Sequence, residues 1–127
     1  MAMTDHAEQA IGTHFIIDVT GDAAFSDPQA IERVLRKAAD KAGATTLDAR
    51  FHHFGEAMGV TGFLLLAESH ISIHTWPEHR FAAIDMFICG SPKIASALDW
   101  IKHAFEGCEI DIQQLHRGGS PSHRAQD

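Results

Sequence analysis

Residues Leu64–Phe81 read LLLAESHISIHTWPEHRF, and this stretch decides how the fold is interpreted. The apolar run at 63–67 is typical of a buried strand, and it stops at Glu68-Ser69. The segment HISIHTW (70–76) alternates apolar and polar residues, which is typical of another strand. Histidines, hydroxyl groups, a tryptophan, a proline and a glutamate therefore crowd into a short piece of predicted sheet. Such a concentration of reactive side chains indicates a functional segment.

Alternating or continuous apolar patterns extend the sheet in both directions from this stretch. They predict six strands, at 12–20, 45–54, 60–67, 70–76, 81–89 and 108–115. In the second of these, Leu47, Ala49 and Phe51 are expected to face the same way, because side chains two residues apart share a strand face.

Two helices complete the pattern. The first is predicted to follow a cap at Ser26 or Asp27, with Pro28 in its first turn. The second is predicted to begin at the Ser91-Pro92 pair. Its apolar stripe comprises Ile94, Leu98, Ile101 and Phe105.

The element order β-α-β-β-β-β-α-β predicts an α+β fold. We expect a two-layer sandwich in which a mostly antiparallel sheet carries both helices on one face. The strands at 60–67 and 81–89 are apolar at both parities, which favours burial of both sheet faces. The second face is therefore expected to pack against the sheet of another copy in a dimer.

Length, charge and cysteine content set broad limits on function. The 127 residues fit one domain, 1–127, and a formal net charge of −7 disfavours nucleic acid as a partner. No basic-then-apolar leader and no membrane-spanning apolar run is visible. Two cysteines, Cys89 and Cys108, make no disulfide framework. We expect a cytoplasmic protein with reduced thiols and with no membrane partner.

The histidines raise the question of a metal site. The candidate ligands are His52, His53, His70, His74 and His79. On one strand, His70 and His74 share a face but lie about 13 Å apart at ~3.3 Å per residue, which is too far for one ion. No carboxylate–histidine motif of a metalloenzyme is present. The spacing therefore predicts no metal site.

Other kinds of chemistry stay open on residue type alone. Ser69 and His74 suggest a hydrolase, but the glycine-flanked elbow of such serine nucleophiles is missing. Cys89 is equally typical of a small core residue. Glu78 is equally an ordinary solvated carboxylate, and Phe54 an ordinary core aromatic. The residues by themselves do not choose among these interpretations.

Two contiguous segments carry a family resemblance that does choose. LAESHISIHTWPE (66–78) and AAIDMFICG (82–90) resemble the prokaryotic S-adenosylmethionine decarboxylase proenzymes, which are pyruvoyl-dependent and process themselves. GTHFIIDV near the start and AGATTLDARFHHF before the loop follow in the family's order. The resemblance thus covers nearly the whole chain.

This resemblance implies that the chain cuts itself between Glu68 and Ser69. The Ser69 hydroxyl attacks the Glu68 carbonyl, an ester replaces the peptide bond, and β-elimination leaves dehydroalanine at position 69. Hydration and loss of ammonia then give a pyruvoyl group, so no external cofactor is expected. The implied products are a β chain, 1–68, and a pyruvoyl-capped α chain, 69–127.

The reaction is implied in the same way. A Schiff base between the substrate amine and the pyruvoyl carbonyl delocalises the charge that loss of CO₂ leaves on Cα. The product is decarboxylated S-adenosylmethionine, the aminopropyl donor for spermidine synthesis. Protomers of the family pair, and each site uses residues of both. A homodimer of cleaved protomers, or a larger assembly, is therefore implied.

Individual roles carry over residue by residue. His74 matches the histidine that assists processing, and Cys89 matches the cysteine that protonates the decarboxylated carbon. Thr61 matches a position where the family often has serine, and its hydroxyl is expected to support processing. Phe54 matches the aromatic that stacks on adenine, and Glu78 matches the carboxylate that binds the ribose hydroxyls.

One segment departs from the family pattern. FGEAMGVTG (54–62) has one residue more before Gly59 than is common and lacks a Pro-Gln pair. Because this loop carries Phe54, the departure bears on adenine recognition and not on self-processing. Glu56 would suit a cationic substrate, so a paralogous arginine or ornithine decarboxylase is an alternative, as is a non-catalytic, unprocessed relative. Ordinary loop variation is the simpler interpretation.

Overall fold

The computed structural model describes residues 11–90 and 93–119. Every predicted strand and helix is present: β1 Gly12–Thr20, α1 Pro28–Lys41, β2 Thr46–His53, β3 Val60–Leu66, β4 Ser69–Trp76, β5 Phe81–Ile88, α2 Ile94–Ala104 and β6 Glu109–Arg117. A short 3-10 helix, Pro77–His79, separates β4 from β5.

All six strands form one antiparallel sheet in the order β2-β3-β4-β5-β1-β6. Strands β2 to β5 form a meander, in which neighbours along the chain are also neighbours in the sheet. Strand β1 pairs with β5, and β6 pairs with β1 on its outer side. The two central strands are therefore β4 and β5, which carry the reactive segment.

Local signals explain where the helices begin. The Asp27 carboxylate accepts hydrogen bonds from the backbone N–H groups of Gln29 and Ala30, each at 3.1 Å, so it is the N-cap of α1. Pro28 occupies the first helical turn, where its missing N–H costs nothing. The predicted start of α2 at Ser91-Pro92 lies outside the described residues.

Both helices cover the same face of the sheet, as predicted. The Trp100 indole of α2 donates to the Val34 carbonyl of α1 at 3.0 Å, which joins the helices to each other. The core lies between this helix pair and the strand side chains of one parity. It includes Phe15, Ile17, Leu35, Leu64, Ile71, Ile73, Ile84, Met86 and Ile101.

The opposite sheet face, called the open face below, has no helix over it among the described residues. Phe63 and Leu65 project from it and are 40% and 45% exposed. The predicted packing of this face in a dimer stays a prediction. Across the ranges 11–90 and 93–119, neither helix has the length and apolar character that crossing a bilayer would require.

One prediction for β2 is wrong. Leu47 is 61% exposed, whereas Ala49 and Phe51 pack against the core. The pairing of β2 with β3 shifts between Thr46 and Asp48. Such a β-bulge adds one residue to a strand and so reverses which face the following side chains take.

Candidate active site

The chain reverses between β3 and β4 in two residues, Ala67 and Glu68. Leu66 pairs with Ser69 across this turn. Glu68 has a φ of 63°, a left-handed conformation that costs a non-glycine residue roughly 1–2 kcal/mol. The Glu68–Ser69 peptide bond therefore follows a strained residue at an exposed corner of the sheet.

Strand β5 brings Cys89 alongside this peptide bond. His70 pairs with Phe87, so the antiparallel register leads Cys89 to Glu68. The Cys89 thiol donates to the Glu68 carbonyl oxygen, with 2.9 Å between Sγ and O. The Cys89 backbone N–H donates to Ser69 Oγ at 3.2 Å. One residue thus contacts both the hydroxyl and the carbonyl that flank the same bond.

Ser69 and Cys89 line a cavity of about 330 Å³, called the Ser69 cavity below. The turn that follows α1, residues 42–45, forms another part of its wall, and Lys93 also lines it. Ser69 and Cys89 are each only partly buried. A small molecule can therefore reach both the hydroxyl and the thiol.

A second cavity, of about 270 Å³, lies around Phe54 and is called the Phe54 cavity. Its walls carry two largely unpacked aromatic rings, since Phe54 is 58% and Trp76 39% exposed. The Trp76 ring is held by stacking on Phe81, with centroids 5.7 Å apart. The full lining is Phe54, Met58, Gly59, Thr61, His74, Thr75, Trp76 and Glu78. Such a lining suits a planar aromatic ligand with polar substituents.

His74 and Thr61 meet at the wall of the Phe54 cavity. They are direct partners in the β3–β4 pairing, and His74 Nδ1 lies 3.2 Å from Thr61 Oγ1. This contact orients the imidazole, which is otherwise exposed. The ring is thus held as a group that can transfer a proton.

The loop from Phe54 to Gly59 is compact despite its extra residue. The Phe54 N–H donates to the Gly59 carbonyl at 3.0 Å and the Met58 N–H to Gly55 at 2.9 Å. A side chain at Gly59 would lie 2.1 Å from the Thr75 carbonyl oxygen, so only glycine fits. Glu56 is exposed and does not line the Phe54 cavity.

The two cavities lie at opposite ends of the sheet. Ser69 begins β4, and His74 lies five residues further along the same strand. At ~3.3 Å per residue this separation is about 16 Å, and an odd spacing directs the two side chains to opposite faces. Ser69 and His74 of one chain are therefore too far apart to exchange a proton.

Besides the two cavities, a cluster of polar side chains lies on the open face between them. His14 Nε2 and His70 Nε2 both contact Asp85 Oδ1, at 3.2 and 2.9 Å. The Ser72 hydroxyl donates to Asp85 Oδ2 at 2.5 Å, and Arg117 lies 3.3 Å from His14 Nδ1. Burial raises the pKa of the Asp85 carboxyl. The hydrogen bonds from Ser72, His70 and His14 outweigh this effect and hold the pKa below its ordinary value.

The donor atoms of His14, His70 and Asp85 lie within 4.8 Å of one another, a spacing that could hold a metal ion. The hydrogen bond from Arg117 indicates instead which nitrogen of His14 carries the proton. A guanidinium only donates, so His14 Nδ1 accepts and Nε2 carries the proton. A protonated Nε2 donates to Asp85 and is not available as a ligand. The expected absence of a metal stays a prediction.

Comparison with known proteins identifies the family. The family model described as S-adenosylmethionine decarboxylase matches residues 13–118. The chain belongs to this family. The resemblance stated from the sequence is confirmed, and with it the class of enzyme.

Individual relatives agree over most of their length. An S-adenosylmethionine decarboxylase proenzyme of Thermodesulfovibrio yellowstonii is 40% identical over 115 residues, which cover 86% of this chain and 82% of the relative. A proenzyme of Persephonella marina is 40% identical and covers 92% and 90%. The crystal structure of the adenosylmethionine decarboxylase from Aquifex aeolicus superposes with a TM-score of 0.77 at 37% identity, covering 88% of this chain and 94% of that one.

The decarboxylase fold brings the predicted site residues into two groups. Glu68, Ser69 and Cys89 meet at the β3–β4 turn. Phe54, Thr61, His74 and Glu78 line the Phe54 cavity.

Among the histidines first considered as metal ligands, His70 contacts the carboxylate of Asp85. His52 lies against the Phe54 ring, with centroids 4.6 Å apart. The role of His14 in this cluster was not predicted, because nothing local indicates that β1 pairs with β5.

Proposed function

We propose that the chain is a self-processing, pyruvoyl-dependent S-adenosylmethionine decarboxylase that cuts itself between Glu68 and Ser69. The observation that carries this proposal is the pair of hydrogen bonds from Cys89 to the two sides of one peptide bond. Its product would be decarboxylated S-adenosylmethionine, the aminopropyl donor for spermidine synthesis.

The geometry at the turn suits an acyl shift from nitrogen to oxygen. The Ser69 oxygen attacks the Glu68 carbonyl carbon, the C–N bond breaks, and an ester forms. The Cys89 thiol donates to the carbonyl oxygen on which negative charge develops, the arrangement of an oxyanion hole. Strain at Glu68 is released when the peptide bond opens. Elimination at Ser69 then breaks the Cβ–O bond and frees the Glu68 carboxylate.

The residues around position 69 fit a pyruvoyl group formed from Ser69. That group supplies an electron sink for the carbanion left by loss of CO₂. Cys89 contacts residues 68 and 69 and lines the Ser69 cavity. It is therefore well placed to protonate the substrate carbon there. Because this role needs a free thiol, and Cys89 and Cys108 are both free, we propose a reducing, cytoplasmic location.

A complete site needs a second copy of the chain. His74 and the Phe54 cavity lie about 16 Å along β4 from Ser69, by the rise of a strand, so one chain supplies two half-sites. The Ser69 side chain is on the helix side of the sheet, but it lies at the very end of β4. Two copies that pair their open faces in opposite directions would therefore bring the Glu68–Ser69 bond, at the end of one sheet, close to the Phe54 end of the other chain. The exposed Phe63 and Leu65 would be buried in this homodimer.

The Phe54 cavity favours S-adenosylmethionine over arginine or ornithine. Phe54 and Trp76 offer ring faces to adenine, and Glu78 offers a carboxylate to ribose hydroxyls. Glu56, the residue that would suit a cationic side chain, lies outside the cavity wall. The extra loop residue is accommodated in the turn at 55–58.

Intact mass spectrometry of the denatured protein tests the cleavage. We expect two chains, 1–68 and 69–127, the second blocked at its N-terminus. Ser69→Ala should remain one chain and lose decarboxylase activity. A wild-type chain that stays whole would exclude the pyruvoyl enzyme, and turnover of arginine or ornithine alone would exclude the proposed substrate.

Mixed dimers test the shared site. Ser69→Ala and His74→Ala chains, each with a different affinity tag, are co-expressed and the mixed dimer is purified through both tags. One of its sites then combines an intact Ser69 with an intact His74. We expect the His74→Ala chain to be cleaved in the mixture but not in its own homodimer. If the His74→Ala chain stays whole in the mixed dimer as well, one chain supplies both residues.

A further inference from the structure

Cleavage turns an internal position of the sheet into a chain end. In the uncleaved chain, Ser69 is held by the two-residue turn to β3. If the proposed function is correct, that connection disappears and β4 begins at residue 69. Free chain ends fray unless they are tied down. Pairing with β3 and β5 still holds the backbone of β4. The pyruvoyl group at its first position would then depend on the next residue, His70, for its alignment with Cys89.

We propose that His70, held by Asp85, is the anchor that keeps the new chain end in place after cleavage. His70 is the first residue after the reacting position. Its Nε2 contacts Asp85 Oδ1 at 2.9 Å, and its ring stacks on Phe87 with centroids 6.3 Å apart and planes at 21°. These contacts involve side chains, so they survive the loss of the Glu68–Ser69 bond.

The anchor is itself rigidly held. The Asp85 carboxylate also accepts from Ser72 and contacts His14. His14 lies on β1 and is contacted from β6 by Arg117. The cluster therefore joins the start of β4 to three other strands, β5, β1 and β6. Ser72 occupies the other carboxylate oxygen, Oδ2, so His70 is directed to Oδ1. The cluster therefore defines the position of the His70 imidazole.

The strand on which Asp85 lies also carries Cys89. Asp85 pairs with Ser72, and Phe87 with His70, so β5 continues directly to Cys89 at the level of the cut. An anchor on this strand keeps the new chain end in register with the thiol. His70 is thus a positioning residue: it acts on the reaction through the placement of residue 69 and does not contact the substrate.

Activity per cleaved chain separates positioning from processing. We would compare wild type, His70→Ala and His70→Gln, with His103→Ala as a control on the exposed surface of α2. For His70→Ala we expect cleavage to proceed, kcat per cleaved chain to fall by about tenfold to 10²-fold, and KM to change little. His70→Gln keeps an N–H donor at similar reach and should recover most of the rate. His103→Ala should match wild type.

Hydrogen exchange distinguishes an anchor from general stabilisation of the sheet. His70→Ala should increase exchange of residues 70–74 in the cleaved enzyme. The same change in an uncleavable Ser69→Ala chain should increase it much less, because the turn still holds β4. Asp85→Ala, which removes the oxygen that accepts from His70, should reproduce this difference if His70→Ala folds poorly.

Several results would overturn the anchor. Unchanged turnover in cleaved His70→Ala is one, and equal exchange in cleaved and uncleavable backgrounds is another. A His70→Ala chain that folds but is not cleaved would show that the contact is needed before the chain end exists. If the wild-type chain is not cleaved, the proposed function fails first, and the anchor with it.

Discussion

At the scale of single residues, Cys89 makes two separable contacts. Its backbone N–H contacts Ser69 Oγ, and its thiol contacts the Glu68 carbonyl oxygen. The first contact needs no particular side chain. In the proposed function, the second contact needs a donor during processing and an acid during turnover. Substitutions that retain one property and remove the other can therefore assign the roles.

Cys89→Ala removes the thiol donor, and we expect self-cleavage to slow by about 10²-fold, the usual effect of losing one donor to an oxyanion. Cys89→Ser keeps a donor but offers a much weaker acid. It should cleave faster than Cys89→Ala and still turn over poorly. Time courses of the intact mass, followed by decarboxylation per cleaved chain, measure both effects. Equal cleavage rates for the two variants would refute the role in processing.

At the scale of elements, the two-residue turn between β3 and β4 stores strain next to the Glu68–Ser69 bond, which is cut in the proposed function. Glu68 has a positive φ without being glycine. The hairpin cannot relax this residue, because Leu66 and Ser69 are already paired on either side of it. The strain therefore belongs to the turn and disappears when the turn opens.

Glu68→Gly should remove this strain. In an uncleavable Ser69→Ala background, we expect it to raise the free energy of unfolding by about 1 kcal/mol, measured by urea denaturation. With Ser69 present, cleavage should slow about fivefold, since 1.4 kcal/mol corresponds to a factor of ten. Glu68→Gln keeps the strained conformation and serves as the control. A stabilised turn that cleaves as fast as wild type would show that strain does not assist the reaction.

The cluster that joins β1, β4, β5 and β6 should give the sheet a defined dependence on pH. The folded pKa of Asp85 lies below its unfolded value. The stability contributed by its contacts with Ser72, His70 and His14 is therefore present above about pH 3.9, the unfolded value. It is lost as the pH falls through the lower folded pKa.

Asp85→Asn in the Ser69→Ala background tests this direction. The variant should be less stable than its parent at pH 7 and at pH 5, and the difference should shrink below about pH 4. Urea denaturation at each pH measures it. A difference that stays constant down to pH 2.5 would mean that the carboxylate charge does not contribute.

At the scale of the whole molecule, the sheet is covered by helices on one face within the described residues, and it carries one group of the proposed site residues at each end of β4. The open face exposes Phe63 and Leu65, and the aromatic lining of the Phe54 cavity lies far from Ser69 along β4. Pairing of two open faces would bury the apolar side chains and complete both sites in one step.

Phe63→Asp places a charge in the proposed interface. We expect a folded monomer at micromolar concentration that neither cleaves itself nor decarboxylates, because burying an unpaired charge is costly. Ala95→Asp adds the same charge to the exposed surface of α2 and should remain a dimer. Sedimentation and intact mass measure assembly and cleavage. A monomeric Phe63→Asp that cleaves normally would rule out the shared site.

Local patterns in the sequence were sufficient for the elements and for the family. Apolar periodicity identified the six strands and two helices, and Asp27 and Pro28 marked the start of α1. Such signals depend on neighbours within a few residues, so they can be read along the chain. The same holds for the contiguous segments around Ser69 and Cys89 that indicated the decarboxylase. The bulge that exposes Leu47 left no comparable local signal.

Only the tertiary structure decided three other features. These are the placement of β1 beside β5, the distance between Ser69 and His74, and the contacts of His14 and His70 with Asp85. These features depend on which strands pair, and the partners are distant in the chain: His14 and Asp85, for example, lie 71 residues apart. Strand pairing is set by the burial of a shared core against two helices and not by any local pattern. The sequence by itself therefore named the candidate site residues, and the fold determined which of them one chain can bring together.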